Sequence, residues 1–237
     1  LFTLFKMICI IDKFVAVIPA RGGSKRLVRK NLQEINGKSL TKISIETALN
    51  SKLLSKIILS SDDQEILDEG LDYDITYDNR ESYLATDSST TLSLLANLVL
   101  KYNINIQSTA FVLLQPTSPL RLAVDIDQCI SSFIDKQATS VVTACDLNHH
   151  YTFSKQMVID QENFRVQLDL NKKKFLHSEK LVIRNGPAVL VTSAKNISNS
   201  DLYGDNVYVN MMPIERSIDI DSKYDLIIAR ALYQNYI

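Results

Sequence analysis

The residues best suited to chemistry lie in a short basic segment near the start of the chain. Five cations and no acid fall within residues 21–30, although the whole chain balances 26 Lys and Arg against 27 Asp and Glu. Gly22 and Gly23 follow closely on an apolar run at residues 14–18. A glycine-rich loop after a strand lets backbone N–H groups approach phosphate oxygens, and basic side chains add charge. We therefore predict a polyphosphate site, with a solvated basic loop as the alternative. The cations are Arg21, Lys25, Arg26, Arg29 and Lys30.

This segment matches neither of the two familiar phosphate-binding motifs. The sequence contains no G-x-x-x-x-G-K-[ST] and no G-x-G-x-x-G. A P-loop nucleoside triphosphatase and a dinucleotide-binding protein are therefore both disfavoured.

A second polar cluster follows the apolar run at residues 110–115. Pro116 and Pro119 stiffen this segment, and rigid polar groups at the end of a strand suit the orientation of a ligand. The alternative is a plain connection into the next helix. The polar residues are Gln115, Thr117, Ser118 and Arg121.

A third pattern is a pair of carboxylates, Asp219 and Asp221, two residues apart. On an extended segment such residues face the same way. Paired carboxylates can hold Mg²⁺ while substrate phosphates fill its other positions. The alternative is that Asp221 or Ser222 caps the last helix. Together with the basic loop, the pair favours a metal site.

The remaining chemical signals are weaker. Arg184 lies in a turn-forming segment, where it either clamps a carboxylate or stays solvated. No Ser/His/Asp or Cys/His signature indicates covalent catalysis. The histidines show no metal-ligand spacing and are interpreted as structural or surface residues; they are His149, His150 and His177.

Alternating apolar patterns predict the elements that position these residues. Strands alternating with helices of 10–15 residues indicate an α/β fold: a mostly parallel sheet with helices on both faces. Ligands of such sheets bind beyond the carboxyl ends of the strands, where the polar segments above lie. The predicted strands are residues 14–18, 56–60, 110–115, 140–144, 188–192 and 207–212, and the predicted helices are residues 40–50, 91–102, 124–135 and 221–236.

Length and composition limit the class of protein. The 237 residues suit a single domain over 1–237, with residues 151–180 predicted as a hairpin standing off the sheet. A net charge of −1 excludes a globally basic, nucleic-acid-coating protein. The N-terminal apolar run is too short to span a bilayer and lacks the cleavage pattern of a signal peptide, so we expect a cytoplasmic protein without a membrane anchor. Met7 is a candidate start of the natural chain. The cysteines, expected to be reduced and buried, are Cys9, Cys129 and Cys145.

Four segments, in order and at suitable spacings, resemble the motifs of the acylneuraminate cytidylyltransferases, the CMP-sialic acid synthetase family. They are residues 17–26 with Lys30-Asn31, residues 114–121, residues 144–150 and residues 217–221. The resemblance implies a Rossmann-like nucleotidyltransferase fold and a homodimer that exchanges a dimerisation hairpin, here near residues 151–180. It also implies that CTP and Mg²⁺ activate a nine-carbon α-keto acid sugar, giving the CMP-sugar and pyrophosphate.

Carried over by motif, the family's functional residues fall on definite positions of this sequence. Arg21, Lys30, Asp219 and Asp221 are the implied catalytic residues, and the two aspartates are the implied metal ligands. The implied nucleotide-binding residues are Arg21, Gly22, Gly23, Ser24, Lys25, Lys30, Asn31, Arg80 and Thr91. The implied sugar-binding residues are Gln115, Arg184 and Asn185.

The sequence departs from the family pattern at two places. Val28 stands where the family commonly has Pro, which alters the stiffness of the loop more than its chemistry. Arg184 directly precedes Asn185-Gly186, whereas the family often reads R-x-N-G, so the choice of sugar stays open. The alternatives are a legionaminic, pseudaminic or CMP-Kdo synthetase-like enzyme, and a catalytically silent nucleotide- or sugar-binding homologue.

Overall fold

The computed structural model describes residues 11–146, 158–159, 166–167 and 182–236. Its strands are β1 Lys13–Pro19, β2 Glu34–Ile35, β3 Lys38–Ser39, β4 Lys56–Ser61, β5 Thr76–Asn79, β6 Thr109–Leu113, β7 Ser140–Asp146, β8 Val158–Ile159, β9 Val166–Gln167, β10 Val182–Arg184, β11 Leu190–Ser193 and β12 Val207–Met211. Its α-helices are α1 Leu40–Leu49, α2 Gln64–Asp68, α3 Thr91–Lys101, α4 Ala123–Asp135, α5 Ala194–Ser198 and α6 Lys223–Tyr236.

The central sheet contains eight strands. Strand β1 lies between β6 and β4 and is parallel to both, and β5 is parallel to β4 on its far side. Strand β11 runs antiparallel between β6 and β7, β10 is antiparallel to β7, and β12 is parallel to β7. Four of these seven strand pairs are parallel, so the predicted α/β fold with a mostly parallel sheet is confirmed.

Helices cover both faces of the sheet, as predicted. Because side chains alternate along a strand, β1 sends Phe14, Ala16 and Ile18 to one face and Val15 and Val17 to the other. The first set packs with α1, α2 and α4, and the second packs with α3 and α5. A strand covered on both sides needs a continuous apolar run, which is the pattern that the sequence shows here.

A third apolar cluster fixes the C-terminal segment beside the start of the chain. Ile220, Leu226 and Ala229, from the segment leading into α6 and from α6 itself, pack with Ile35 of β2 and Leu40 of α1. This packing brings the residues before α6 next to the loop that follows β1. The acidic pair and the basic segment therefore meet in space although nearly 200 residues separate them.

The predicted elements differ from the observed ones mainly at their ends and among the shorter pieces. The strand predicted at 110–115 ends at Leu113, and the one predicted at 188–192 is Leu190–Ser193. Strands β2, β3, β5 and β10 and helices α2 and α5 were not predicted. They are short, at two to five residues each.

Part of the predicted hairpin is visible. Strands β8 and β9 pair antiparallel, with Val158 opposite Gln167 and Ile159 opposite Val166. The rest of residues 151–180 lies outside the described residues, and the role of the hairpin in dimerisation stays a prediction.

The remaining sequence-based expectations concern the cysteines, the histidines and the membrane. Cys129 and Cys145 are buried free thiols, and burial raises the pKa of Cys129 to about 12. Cys9 and the three histidines lie outside the described residues. Within residues 11–146 and 182–236, none of the helices has the length and apolar character needed to cross a bilayer.

Candidate active site

A cavity of about 300 Å³ opens beyond the carboxyl ends of the parallel strands. The segment after β1 contributes Arg21, Lys30 and Asn31 to its wall. Arg80, which directly follows β5, also lines the wall. Gln115 and Thr117 come from the segment after β6, and Asp219 and Asp221 from the segment before α6. The three polar clusters singled out in the sequence therefore line one cavity, at the position that an α/β sheet favours for ligands.

The backbone of the basic loop, residues 20–31, is held from inside the protein. Buried Asn31 donates from Nδ2 to the carbonyl of Arg21 at 2.9 Å, and the hydroxyl of Thr41 donates to the carbonyl of Asn31 at 2.9 Å. The N–H of Gly22 donates to Oδ1 of Asp62 at 3.0 Å. A Cβ atom on Gly22 would lie 2.7 Å from Oδ2 and 2.8 Å from Cβ of Asp63, so a larger residue here would displace Asp63.

Four of the five cations of the loop pair with two aspartates from distant segments. Arg21 Nη1 lies 3.0 Å from Asp87 Oδ1, and Lys25 Nζ lies 2.5 Å from Asp87 Oδ2. On the other side, Lys30 Nζ lies 3.0 Å from Asp221 Oδ1 and Arg26 Nη1 lies 2.8 Å from Asp221 Oδ2. The loop is thus a cluster of positive charge held by two exposed carboxylates.

The fifth cation, Arg29, is placed differently. It has left-handed backbone dihedrals, with φ 52°, and pairs with Glu65 of α2. Arg29 is not among the residues that line the cavity within the described chain. Arg29 can therefore serve as a control residue for the four loop cations that pair with Asp87 and Asp221.

Backbone pairing with the segment after β6 positions the acidic pair. The N–H of Ile220 donates to the carbonyl of Thr117 at 2.8 Å, which places Asp219 and Asp221 on either side of that bond. Burial raises the pKa of Asp219, and the hydroxyl of Thr117 opposes this shift. Hydrogen bonding to Lys30 lowers the pKa of Asp221, so this carboxylate is ionised at neutral pH.

The capping alternative for Asp221 is wrong, because its carboxylate contacts Lys30 and Arg26 instead of the helix. Ser222 does serve the start of α6. Its hydroxyl accepts from the N–H of Asp225 at 3.4 Å, and Asp225 Oδ2 accepts from the N–H of Ser222 at 2.7 Å.

The acidic pair fits a divalent cation. Asp219 Oδ1 is buried and has no hydrogen-bond partner among the described residues, so it is an available oxygen ligand at the cavity. The described chain contains no group of three or more His, Cys, Asp or Glu side chains that could hold a metal alone. Mg²⁺ characteristically takes one or two carboxylates and completes its shell with substrate phosphates and water, which matches this donor set.

Arg80, on the opposite wall, is buried at 8% exposure. Its Nη2 donates to the carbonyl of Ser60 at 2.7 Å and its Nε donates to Oγ of Ser60 at 3.1 Å. Burial lowers the pKa of Arg80, while Asp62 and Asp78 oppose the shift. The apolar side chains of Leu84 and Leu94 also line the cavity.

The segment after β6 is held by Arg121, which is almost fully buried. Its Nη1 donates to the carbonyls of Gln115 at 3.1 Å and Ala188 at 2.6 Å, and its Nη2 donates to Ser44 Oγ at 2.9 Å. Burial lowers the pKa of Arg121 to about 10, and the side chain remains a cation at neutral pH. Arg121 therefore positions Gln115 from behind, whereas Gln115 itself faces the cavity.

Several implied ligands do not line the cavity in the described chain. Arg184 hydrogen-bonds to the hydroxyl of Tyr203, and buried Asn185 accepts from Thr143 Oγ1 at 2.8 Å and donates to Ser217 Oγ at 2.9 Å. Asn185 thus supports the segment that carries Asp219, and the sugar-binding role of both residues stays a prediction. The other implied ligands that do not line the cavity are all in the basic loop: Gly22, Gly23, Ser24 and Lys25. The implied ligand Thr91, at the start of α3, does line it.

Sequence reasoning named Arg80 and Thr91 as ligands but missed the other cavity-lining residues of the same region. These are Leu84, Thr86, Ser89, Thr90 and Leu94, and Asp87 of the same segment pairs with two cations of the loop. The signal was available as a run of hydroxyl residues over 86–91, flanking the implied ligand Thr91.

Comparison with solved structures supports the fold. A CMP:2-keto-3-deoxy-manno-octonic acid synthetase solved with CTP superposes with a TM-score of 0.69 at 15% identity, covering 95% of this chain and 100% of that one. A 4-diphosphocytidyl-2C-methyl-D-erythritol synthase from Anaerococcus prevotii gives a TM-score of 0.60 at 17% identity, covering 95% and 98%. This chain therefore shares its fold with both of these structures.

Sequence comparison identifies the family. The profile of the family described as cytidylyltransferase matches residues 15–236, and the chain belongs to that family. The predicted nucleotidyltransferase activity class is confirmed.

Three relatives illustrate the range of the family, two of them matched over nearly their whole length and one over about half of it. A pseudaminic acid cytidylyltransferase from Campylobacter jejuni is 29% identical over 226 residues, covering 94% of this chain and 97% of its own. A CMP-N,N'-diacetyllegionaminic acid synthase from Legionella pneumophila is 28% identical with the same coverage. An N-acylneuraminate cytidylyltransferase from Streptococcus agalactiae is 26% identical over 219 residues, covering 91% of this chain and 52% of the relative.

Proposed function

We propose that this protein transfers the cytidylyl group of CTP to the anomeric hydroxyl of a nine-carbon α-keto acid sugar. A bond forms between the sugar oxygen and the α-phosphorus, the bond to the leaving pyrophosphate breaks, and the hydroxyl proton is released. The observation that carries the proposal is the single cavity where the basic loop, the acidic pair and Arg80 meet. The similarity to relatives named for sugars of the pseudaminic, legionaminic and sialic acid classes supports the choice of acceptor.

The chief physical problem of this reaction is charge. A triphosphate and an acidic sugar repel each other, and negative charge accumulates on the departing pyrophosphate. Preorganised cations offset both effects, since they need no reorganisation when the charge develops. Lys30, whose side chain is only 18% exposed, and Arg21 line the cavity and take this role in the proposal. Gly22, Gly23, Ser24, Lys25 and Asn31 shape the loop that carries them.

Asp219 and Asp221 would hold the Mg²⁺ ion of this reaction. The bound ion would neutralise phosphate charge and orient the triphosphate. The available Oδ1 of Asp219 and the ionised state of Asp221 support this assignment. Asp221 must exchange part of its contact with Lys30 and Arg26 for the metal, which would free Lys30, a residue of the cavity wall, for the phosphates.

The sugar takes the part of the cavity lined by Gln115 and Thr117 in this proposal. These residues lie beside the acidic pair, so an acceptor bound there is close to the proposed metal and phosphates. The amide of Gln115 can both donate to and accept from sugar hydroxyl and carbonyl groups. Arg184 and Asn185 remain candidate sugar residues, as the sequence predicted.

The proposal includes a homodimer and a cytoplasmic location. The apolar side chains of β10 and β12 are exposed, and a second copy of the chain would cover them. They are Val182, Ile183, Val207, Val209 and Met211. The two buried free thiols are typical of a reducing compartment. Light scattering after size-exclusion chromatography tests the dimer, and a monomer at micromolar concentration would contradict it.

The direct test of the function is an assay with CTP, Mg²⁺ and a panel of keto acid sugars, following pyrophosphate. The panel contains sialic, legionaminic and pseudaminic acids and the eight-carbon sugar Kdo. We expect release of pyrophosphate with at least one nine-carbon acid and its loss when Mg²⁺ is chelated. Turnover with Kdo alone supports the alternative CMP-Kdo synthetase. CTP binding without turnover of any sugar supports a silent binding homologue and contradicts the proposal.

A further inference from the structure

A chain of hydrogen bonds runs from Arg80, in the wall of the cavity, through buried Ser60 and Asp78 to Lys101 at the end of α3, whose side chain is 36% exposed. Ser60 Oγ accepts from Arg80 Nε at 3.1 Å and donates to Asp78 Oδ2 at 2.6 Å. Lys101 Nζ donates to Asp78 Oδ1 at 2.6 Å and to the carbonyl of Asn79 at 2.9 Å. Each link is within ordinary hydrogen-bond distance. The chain therefore joins the cavity to a residue that does not line it.

We propose that Asp78 and Lys101 are positioning residues that fix the guanidinium of Arg80 for the cytidine half of the nucleotide. This inference rests on the proposed function, because it assumes that CTP occupies the cavity. Neither residue touches the cavity in the described chain. Both act through Ser60, which contacts Arg80 with its hydroxyl and with its carbonyl.

The sheet fixes the backbone of this chain of contacts. Ser60 of β4 lies opposite Asp78 of β5 in the parallel register, and Ser61 lies opposite Asn79. The N–H of Arg80 donates to the carbonyl of Ser61 at 2.8 Å, which extends the ladder by one residue. The backbone therefore has little freedom, and the orientation of Arg80 depends on which side-chain contacts hold its guanidinium.

Burial makes the side-chain contacts costly to lose. Asp78 is 1% exposed and Ser60 is fully buried, so neither can replace a lost partner with bulk water. Lys101 is the ion-pair partner of Asp78, and the hydroxyl of Tyr102 lies 3.4 Å from Asp78 Oδ1. Without the ammonium group, the Asp78 carboxylate would be left facing Arg80 through Ser60. The guanidinium would then be drawn towards the carboxylate and away from the cavity.

The contacts also determine what Arg80 can offer a ligand. Its Nε and Nη2 are both engaged by Ser60, and its Nη1 makes no hydrogen bond to a described residue. An arginine side chain only donates, so the remaining N–H groups select acceptor atoms. Leu84 and Leu94, which line the same cavity, suit a flat base more than a phosphate. The chain from Lys101 to Arg80 therefore serves the base and ribose, whereas the basic loop serves the triphosphate.

A comparison of two lysines tests the inference. Lys101→Met removes the partner of Asp78 and keeps most of the apolar stem. Lys56→Met is the matched control, because Lys56 Nζ lies over the same Tyr102 ring at 5.1 Å and has no contact with Asp78. Binding of CTP and of inorganic tripolyphosphate is measured by calorimetry for both variants and for the unchanged protein, with thermal unfolding recorded in parallel. Lys101→Arg is the conservative variant.

We expect Lys101→Met to weaken CTP binding by roughly tenfold, the effect of a lost charged hydrogen bond, while tripolyphosphate binding stays unchanged. Lys101→Arg is expected to restore CTP binding, and Lys56→Met to leave it unaltered. Equal CTP affinity in Lys101→Met and the unchanged protein overturns the inference, whatever the melting temperature. An equal loss for both ligands also overturns it, because it indicates general disruption. If the unchanged protein fails to bind CTP, the proposed function fails instead.

Discussion

The two walls of the cavity hold their cations in opposite ways. On the basic loop, Arg21 and Lys25 pair with a carboxylate whose side chain is 52% exposed, and the side chain of Lys25 is itself 82% exposed. On the opposite wall, Arg80 is bound to buried Ser60, which in turn bonds to buried Asp78. Water can replace the contacts of Arg21 and Lys25 with Asp87, whereas it cannot replace the buried contacts of Arg80 with Ser60.

This difference matches the parts of the substrate that each wall would bind. Exposed ion pairs contribute little net free energy, so a triphosphate with several charges can displace the carboxylates of the loop. A buried, hydrogen-bonded cation keeps one orientation, which is what recognition of a base requires. The exposed pairs thus suit an exchangeable polyphosphate, and the buried contacts suit a fixed shape.

The largest expected effect is on catalysis, at Arg21. We expect Arg21→Ala to lower kcat/KM by a factor of about 10²–10³, because preorganised charges stabilise the departing pyrophosphate. Release of pyrophosphate under saturating Mg²⁺ measures it. Arg29→Ala is the matched control, since Arg29 lies on the same loop but pairs with Glu65 away from the cavity. An Arg21→Ala enzyme with near-normal turnover would remove Arg21 from the mechanism.

The next effect concerns stability and compares a buried ion pair with an exposed one. Arg216 donates to Asp125 from both Nη1 and Nη2 of its guanidinium, and the Asp125 side chain is 4% exposed. We expect Arg216→Met to cost about 3 kcal/mol, because it removes the ion-pair partner of a buried carboxylate, which then keeps the N–H of Leu122 as its hydrogen-bond donor. The corresponding fall in Tm is about 6–12 °C.

The exposed pair provides the control for this measurement. Glu65→Gln removes the carboxylate that binds Arg29 and should leave Tm nearly unchanged. Calorimetry on both variants decides the point. Equal losses of Tm would show that exposure does not separate the two kinds of contact.

A smaller effect is expected at the proposed metal site. Asp221→Asn should raise the Mg²⁺ concentration for half-maximal activity by roughly tenfold, because an amide is a weaker ligand for a hard cation than a carboxylate. The melting temperature should stay close to that of the unchanged protein, since Asp221 does not cap α6. A variant that loses thermal stability but needs no extra Mg²⁺ would return Asp221 to a purely structural role.

The smallest effect is expected at Asp87, where the loop pairs must be displaced. Asp87→Asn should tighten binding of tripolyphosphate about two- to fivefold, because phosphate no longer competes with a carboxylate for Arg21 and Lys25. Hydrogen bonds from Lys25 and from Arg21 lower the pKa of Asp87, so the carboxylate is ionised across the neutral range. Weaker binding in Asp87→Asn would mean that Asp87 holds the loop in its binding shape.

Sequence patterns predicted the elements and motifs that depend on local composition. The run at β1 is apolar because both of its faces are covered, and the basic loop after it was recognisable by charge and glycine content. The acidic pair was also predicted from local sequence, because two carboxylates two residues apart on an extended segment face the same way. Their meeting in one cavity follows from the parallel sheet.

The remaining features depend on tertiary contacts that no local pattern encodes. Strand β5 reads Thr-Tyr-Asp-Asn, too polar to predict a strand, and it forms because β4 offers it a parallel edge. The antiparallel position of β11 also depends on partners far along the chain. The ion pair between Asp87 and Arg21 joins residues that are 66 positions apart in the sequence. Asn185 is buried and hydrogen-bonded to Thr143 and Ser217 instead of lining the cavity.

The most direct test is a crystal structure of the protein soaked with CTP and Mg²⁺. We expect the triphosphate to contact Arg21 and Lys30, the metal to bind Asp219 and Asp221, and the cytosine to lie beside Arg80. Nucleotide density elsewhere, with Arg21 still bound to Asp87 and Lys30 still bound to Asp221, would contradict this expectation.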